Sequence, residues 1–177
     1  MPRTSHTTPH LCLHFITFGI SRGSPTIPMP VICHLDLTTA RTPPRHLLDA
    51  YTGASSVLAR SFFSLPGHES HYQDTLIMLE DRLWRRLADP RARTGICVAV
   101  LVNCRAGMHR SVAMAERLAR DVRRWRWDGV CVVVEHLDTD VERGVRRARR
   151  AETVGGRGWG SGGFYAGGYG GRCRCYG

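Results

Sequence analysis

Apolar residues in this chain recur at two spacings, and the change from one to the other lays out the elements. Residues 11–18, 31–37, 96–103 and 130–134 are short, nearly continuous apolar runs, which predicts four strands, the third of the kind that is buried. Residues 69–87 follow the other period, with Tyr72, Leu76, Leu79, Leu83 and Leu87 on one face of a helix. The same period predicts a helix from about residue 109 to 127, closed by Gly129, and two short helical pieces at 45–51 and 54–63 separated by Thr52 and Gly53. Residues 20–30, which carry Arg22, hold Gly23, Pro25, Pro28 and Pro30 and lack any helical period, so a loop is predicted there. Residues 38–44 form a second turn-rich connection.

A strand, a crossover helix and another strand in sequence imply parallel pairing. The expected fold is therefore α/β: one domain over residues 11–140, with a mostly parallel sheet and helices on both faces. Residues 1–10, rich in Thr, Pro and His, are expected to be a disordered N-terminus. From residue 141 the character changes: Arg143, Arg146, Arg147, Arg149 and Arg150 precede a stretch, 155–177, with 11 glycines interleaved with aromatic residues. That composition builds no packed core and predicts a flexible tail over 141–177.

Composition sharpens the choice of partner. The 25 basic residues are all arginine, and the formal net charge is +10. Guanidinium groups suit phosphates and stack on bases, so a phosphorylated small molecule or RNA is the expected partner, with the tail able to add charge and stacking; a base-composition bias toward arginine accounts for the same excess. The 7 cysteines are odd in number and lack framework spacing, which points to a reduced, intracellular protein, cytoplasmic or nuclear. Cys173 and Cys175 are too close together, and too alone, to make a metal site. No metal and no cofactor are expected. No apolar run reaches the roughly 20 residues of a membrane helix, so no membrane partner is expected either.

The candidate chemistry sits where the strand at 96–103 meets the following helix. Cys104, Arg105, Ala106, Gly107, Met108, His109, Arg110 and Ser111 form a compact turn at a helix N-terminus. Backbone N–H groups there converge, and the positive end of the helix dipole favours an anion, phosphate above all. Arg110 can add a bidentate fork and Ser111 a hydroxyl. Each residue also has a structural reading: Arg110, Ser111 and His109 as a helix start and its cap, Cys104 as a small residue closing a buried strand. In a parallel sheet, ligands gather at the carboxyl ends of strands, so His136 and Asp138 after the last strand should lie near this turn. Trp125 and Trp127, flanked by Arg123, Arg124 and Arg126, read either as a nucleic-acid face or as a helix end packed on the sheet.

Two resemblances follow. The spacing Cys104, Gly107, Arg110, Ser111 is similar to the Cys-x-x-Gly-x-x-Arg-Ser signature of cysteine-dependent protein phosphatases, which implies Cys104 as nucleophile and Arg110 as the phosphate ligand. Asn103 stands where that family has a histidine. A second resemblance covers residues ~11 to 140: Phe18-Gly19 with Gly23, Asp36 ending a strand, Thr52-Gly53, the Gly107-Met108-His109-Arg110-Ser111-Val112 run, and Glu135-His136-Leu137-Asp138. Together these resemble the C-terminal domain of the RNase adapter protein RapZ family, in its stand-alone, fungal-type form. That resemblance implies a non-catalytic module that binds a phosphate, a sugar phosphate or an RNA backbone at residues 105–111, with Arg22, His136 and Asp138 nearby. It also implies arginines where this chain has Thr38 and Leu137. The nucleotide-binding P-loop of full-length relatives is not implied, since the chain contains no lysine and no Gly-x-x-x-x-Gly-Lys-Ser/Thr run.

Overall fold

The computed structural model describes residues 11–88 and 95–139. Four strands, β1 (Leu11–Gly19), β2 (Val31–Asp36), β3 (Ile96–Cys104) and β4 (Val130–His136), form one sheet in the order β2-β3-β1-β4. Every pairing is parallel. Four helices accompany it: α1 (Arg45–Ala50), α2 (Ser56–Phe63), α3 (His68–Ala88) and α4 (Arg110–Arg124). The fold is thus the expected α/β domain with a parallel sheet. The calls for residues 1–10 and 141–177 lie outside the described residues. Among the described residues, no helix is long and apolar enough to cross a membrane.

One expectation is corrected. The described helices gather on one face of the sheet instead of both. The steps from β2 to β3 and from β3 to β4 run in the same direction across the sheet, so two right-handed crossovers put their helices on the same side. The step from β1 back to β2 runs the other way through a 3-10 turn at Ile20–Arg22 and a segment too rich in proline for an α-helix. Its Ile27 and Met29 cover Ile16, Phe18, Ala99 and Leu101 on the second face.

On the helical face, alternate strand residues such as Leu13, Phe15, Val98 and Val100 meet Phe62 of α2, Tyr72, Leu79 and Leu83 of α3, and Met114, Leu118 and Val122 of α4. This alternation is the strand period of two, and the helical partners repeat at three to four residues. Arg117 locks the helices together: its guanidinium makes a bidentate pair with Glu69 at 2.6 and 2.7 Å and lies 4.3 and 4.0 Å from the Phe63 and Tyr72 ring centroids. Tyr72 donates its hydroxyl to Asp121 of α4.

α4 stops at Arg124, earlier than the apolar period alone suggests. Arg126 adopts φ 51° and Gly129 φ 74°, which turn the chain toward β4. Trp125 and Trp127 stack 4.8 Å apart, Trp127 also meets Trp84 at 5.5 Å, and both pack against the core. Their place is a helix end packed on the domain. On the second face, Cys12 pairs in register with Cys97 on one side and Cys131 on the other. Burial first, and then these two neighbouring sulfurs, push the Cys12 thiol well above its ordinary value.

Candidate functional site at the carboxyl edge of the sheet

Parallel pairing brings Gly19, Asp36, Cys104 and His136 to one edge, because each ends its strand. From Cys104 the chain must turn at once into α4, and it does so by packing backbone on backbone. Gly107 has φ +76°, and a side chain there would come within 2.5 Å of the Gly19 amide and strike the Asp138 carboxylate. Gly19 is equally confined, since a Cβ on it would approach the Ala106 carbonyl carbon to 2.5 Å. Asp138 closes this contact: its buried carboxylate accepts from the Gly19 amide at 2.6 Å and lies 3.5 Å from Arg22. Ser21 donates its amide to the Arg105 carbonyl at 3.2 Å.

The sulfur of Cys104 forms the floor of the turn and is buried. Burial opposes its ionisation. Hydrogen bonds from the Ser111 hydroxyl and amide and from the Gly107 and His109 amides outweigh that and hold the thiol below its ordinary value. The Gly107 amide is 3.3 Å and the Ser111 hydroxyl 3.2 Å from the sulfur. Several amides of the turn therefore converge on Cys104 itself.

Above the turn opens a cavity of about 610 Å³. Cys104, Arg105, Ala106, His109 and Arg110 line it from the turn, and residues from Thr38 to Asp49, including Arg45, line it from the facing segment. Arg110 bridges the two walls: its buried guanidinium donates to the Thr38 carbonyl at 3.1 Å and the Ala40 carbonyl at 2.5 Å. His109 donates from Nε2 to the Leu48 carbonyl at 3.1 Å, and the Gly53 amide donates to Met108 at 2.9 Å. The facing segment is held in turn by Asp36, whose carboxylate accepts from the Thr38 amide and from Asn103 Nδ2, both at 2.8 Å. Those two bonds, with His34 nearby, keep its carboxyl below the usual range, the Thr38 amide contributing most.

The expected constellation thus divides. Arg105, Ala106, His109 and Arg110 face the cavity. Gly107, Met108 and Ser111 are buried behind it, with Arg22 and Asp138 buttressing the turn from the β1 side. His136 ends its strand at the same edge, but its side chain is engaged toward α4 and β1: its Nε2 donates to Glu116 of α4 at 2.9 Å and its Nδ1 accepts from Thr17 at 2.9 Å. Glu116 borders a second cavity, of about 520 Å³, between α2 and α4, lined also by Arg60, Arg117, Arg120 and Arg123. Sequence reasoning missed Arg45, Asp49 and the carbonyls of Thr38 and Ala40. The one available signal was Asp36 at a strand's carboxyl end.

Fold and site define the class first: a parallel α/β domain whose principal turn joins the carboxyl end of an inner strand to a helix N-terminus. Residues 11–140 match the RapZ C-terminal domain family, and the chain belongs to that family. No curated protein is similar to it at a significant level.

Proposed function

We propose that this domain is a non-catalytic binding module for a phosphate-bearing ligand, a sugar phosphate or an RNA backbone, seated on residues 105–111. The observation that carries this reading is the convergence of Arg45, Arg105 and Arg110 on one cavity at the start of α4. Membership in the RapZ C-terminal domain family supports it. The positive helix end and the Arg105 and Arg110 guanidinium groups favour a dianion; Arg45, on the facing wall, pairs at 3.8 Å with Asp49, whose carboxylate lines the same cavity, so its charge reaches a ligand only in part. His109, held by the Leu48 carbonyl, and Arg110, held by Thr38 and Ala40, are fixed before a ligand arrives, which lowers the ordering cost of binding. The arginines between α2 and α4 offer an RNA backbone a second contact. An adapter role in the cytoplasm fits such a module.

The test is a calorimetric titration of the full chain with a hexose phosphate, with the unphosphorylated sugar, and with a short RNA. Binding that requires the phosphate and falls roughly 10-fold or more in Arg105→Ala is the expected result. Equal affinity for the sugar with and without its phosphate, together with no RNA binding, refutes the proposal.

A second reading, a cysteine phosphatase with Cys104 as nucleophile and Arg110 binding phosphate, is favoured by the lowered Cys104 thiol. Against it, the residue is only 1% exposed and its sulfur is already engaged by the turn. Turnover of an aryl phosphate that Cys104→Ser abolishes would establish this reading in place of the first.

A further inference from the structure

The two edges of the sheet are unlike. β2 is guarded: a bulge between Val31 and Cys33 breaks its register, Pro30 precedes it, and Arg82 of α3 donates to its Ile32 carbonyl. β4, the other edge, has neither bulge nor proline. It pairs with β1 through seven successive residues, reads Val-Cys-Val-Val-Val-Glu-His, and is partly exposed along its whole length. An apolar edge of that kind is a template for another strand.

The groups left over on that edge can be named. The Leu11 amide donates to the Gly129 carbonyl and the Leu137 amide to the Thr17 carbonyl, both at 3.0 Å. Peptide groups alternate in direction along a strand, so Cys131, Val133 and Glu135 spend theirs on β1, whereas those of Val130, Val132, Val134 and His136 point away. The Val130 amide donates to the Trp127 carbonyl at 3.2 Å, and Arg123 of α4 donates to the Val132 carbonyl at 3.1 Å. Among the described residues, the Val132 amide and both the amide and the carbonyl of Val134 meet no partner.

A residue that offers one donor and one acceptor on the same side pairs reciprocally with its own copy in an antiparallel ladder. Two-fold symmetry about Val134 then sets Val132 against His136 of the second copy on the helical face, and Cys131 against Leu137, which is 37% exposed, on the other. Charge agrees with this register. Glu116 of α4 sits at the level of His136 and Arg123 at the level of Val132, so each Arg123 faces Glu116 of the other copy. At about 100° per residue, Glu116 and Arg123 lie within roughly 20° of each other around α4. Arg120 is turned about 40° the other way and pairs with Asp121 at 3.9 Å. Because α4 packs on β1, β3 and β4, the two α4 helices would stand about three strand spacings apart, ~14 Å, a gap that an arginine and a glutamate together span. We infer that β4 pairs antiparallel with β4 of a second copy about an axis at Val134, joining two four-stranded sheets into one. Both outer edges of the joined sheet are then the guarded β2, and the two cavities open at opposite ends, clear of the contact.

The test is sedimentation equilibrium of the full chain at about 0.15 M salt, where exposed charges more than roughly 8 Å apart are screened. A reversible dimer is the expected result. Val134→Pro removes a donor that β1 does not use, at a place where an edge strand tolerates proline, and should weaken association about 10-fold or more while the circular dichroism of the fold is kept. Arg123→Glu should weaken it about 5-fold or more, as should Glu116→Arg, and the two reversals together should restore it. That rescue decides the matter even if the proline variant does not fold. A wild-type chain still monomeric at about 100 μM, well above the micromolar limit of ordinary interfaces, overturns the inference. So does a dimer that Arg123→Glu leaves as tight as wild type.

Discussion

Arg110→Ala is the sharpest probe of the cavity. Among the described residues, two of the five N–H donors of this guanidinium serve the Thr38 and Ala40 carbonyls, which leaves three for a ligand. Bonds from a charged donor are worth about 1.5–3 kcal/mol each. Water can reach the vacated carbonyls from the cavity, so the loss of stability should sit at the low end for two such bonds, about 3 kcal/mol. Losing the fork on a phosphate should cost about 1.5–3 kcal/mol of affinity, roughly a 10- to 150-fold rise in Kd. The assay is the gain in unfolding free energy caused by ligand, with each variant as its own reference. At about 100 times the wild-type Kd, that gain is about 2.7 kcal/mol; with Kd weakened about 100-fold, the same concentration yields about 0.4 kcal/mol. A variant that still gains about 2 kcal/mol refutes the assignment of Arg110 to the ligand. Arg110→Lys should fall between the two, since it keeps the charge and loses the planar fork.

Two further outcomes follow from the packing. Gly107→Ala forces an alanine into a left-handed conformation against the Gly19 amide and Asp138, and should cost more than about 2 kcal/mol in urea denaturation; a loss below about 0.5 kcal/mol would mean that the turn relaxes freely. The Glu69–Arg117 pair should make stability depend on pH. The Arg117 hydrogen bond, foremost, holds the Glu69 carboxyl below its ordinary value, although partial burial opposes this. Its stabilisation is therefore complete above the unfolded pKa of about 4.3 and disappears as pH falls through the lower folded value. The Glu69 side chain is half exposed, so wild type should exceed Glu69→Gln by only about 0.5 kcal/mol at neutral pH. A difference that persists unchanged in acid would exclude the pairing as its source.

The elements were legible in the sequence because each carries its own period. Strands β1 to β4 and helix α3 fall within a residue or two of where the apolar pattern puts them, since burial of one face decides both. α4 ends early because the positive φ of Arg126 is a tertiary turn with no signal in hydropathy. The helices collect on one face because handedness acts on strand order, and strand order is not encoded in any local window. The site was partly legible for the same reason. The turn is contiguous, so Arg105 to Ser111 could be read together, but its facing wall comes from residues about 60 positions upstream that meet it only through β2 and β3 pairing. Asp138 reads in the sequence as a polar residue near a ligand; in the fold its carboxylate caps the Gly19 amide.

The place of β1 in the strand order bears on how the domain comes into being. This strand is made first, yet its two neighbours begin at Ile96 and Val130. Nearly the whole domain must leave the ribosome before β1 has a partner on each side, and closing loops of that length slows folding. Until then a strand with every residue suited to burial waits unpaired, so nascent chains arrested before residue 130 are the form of this protein that a holdase chaperone should recognise.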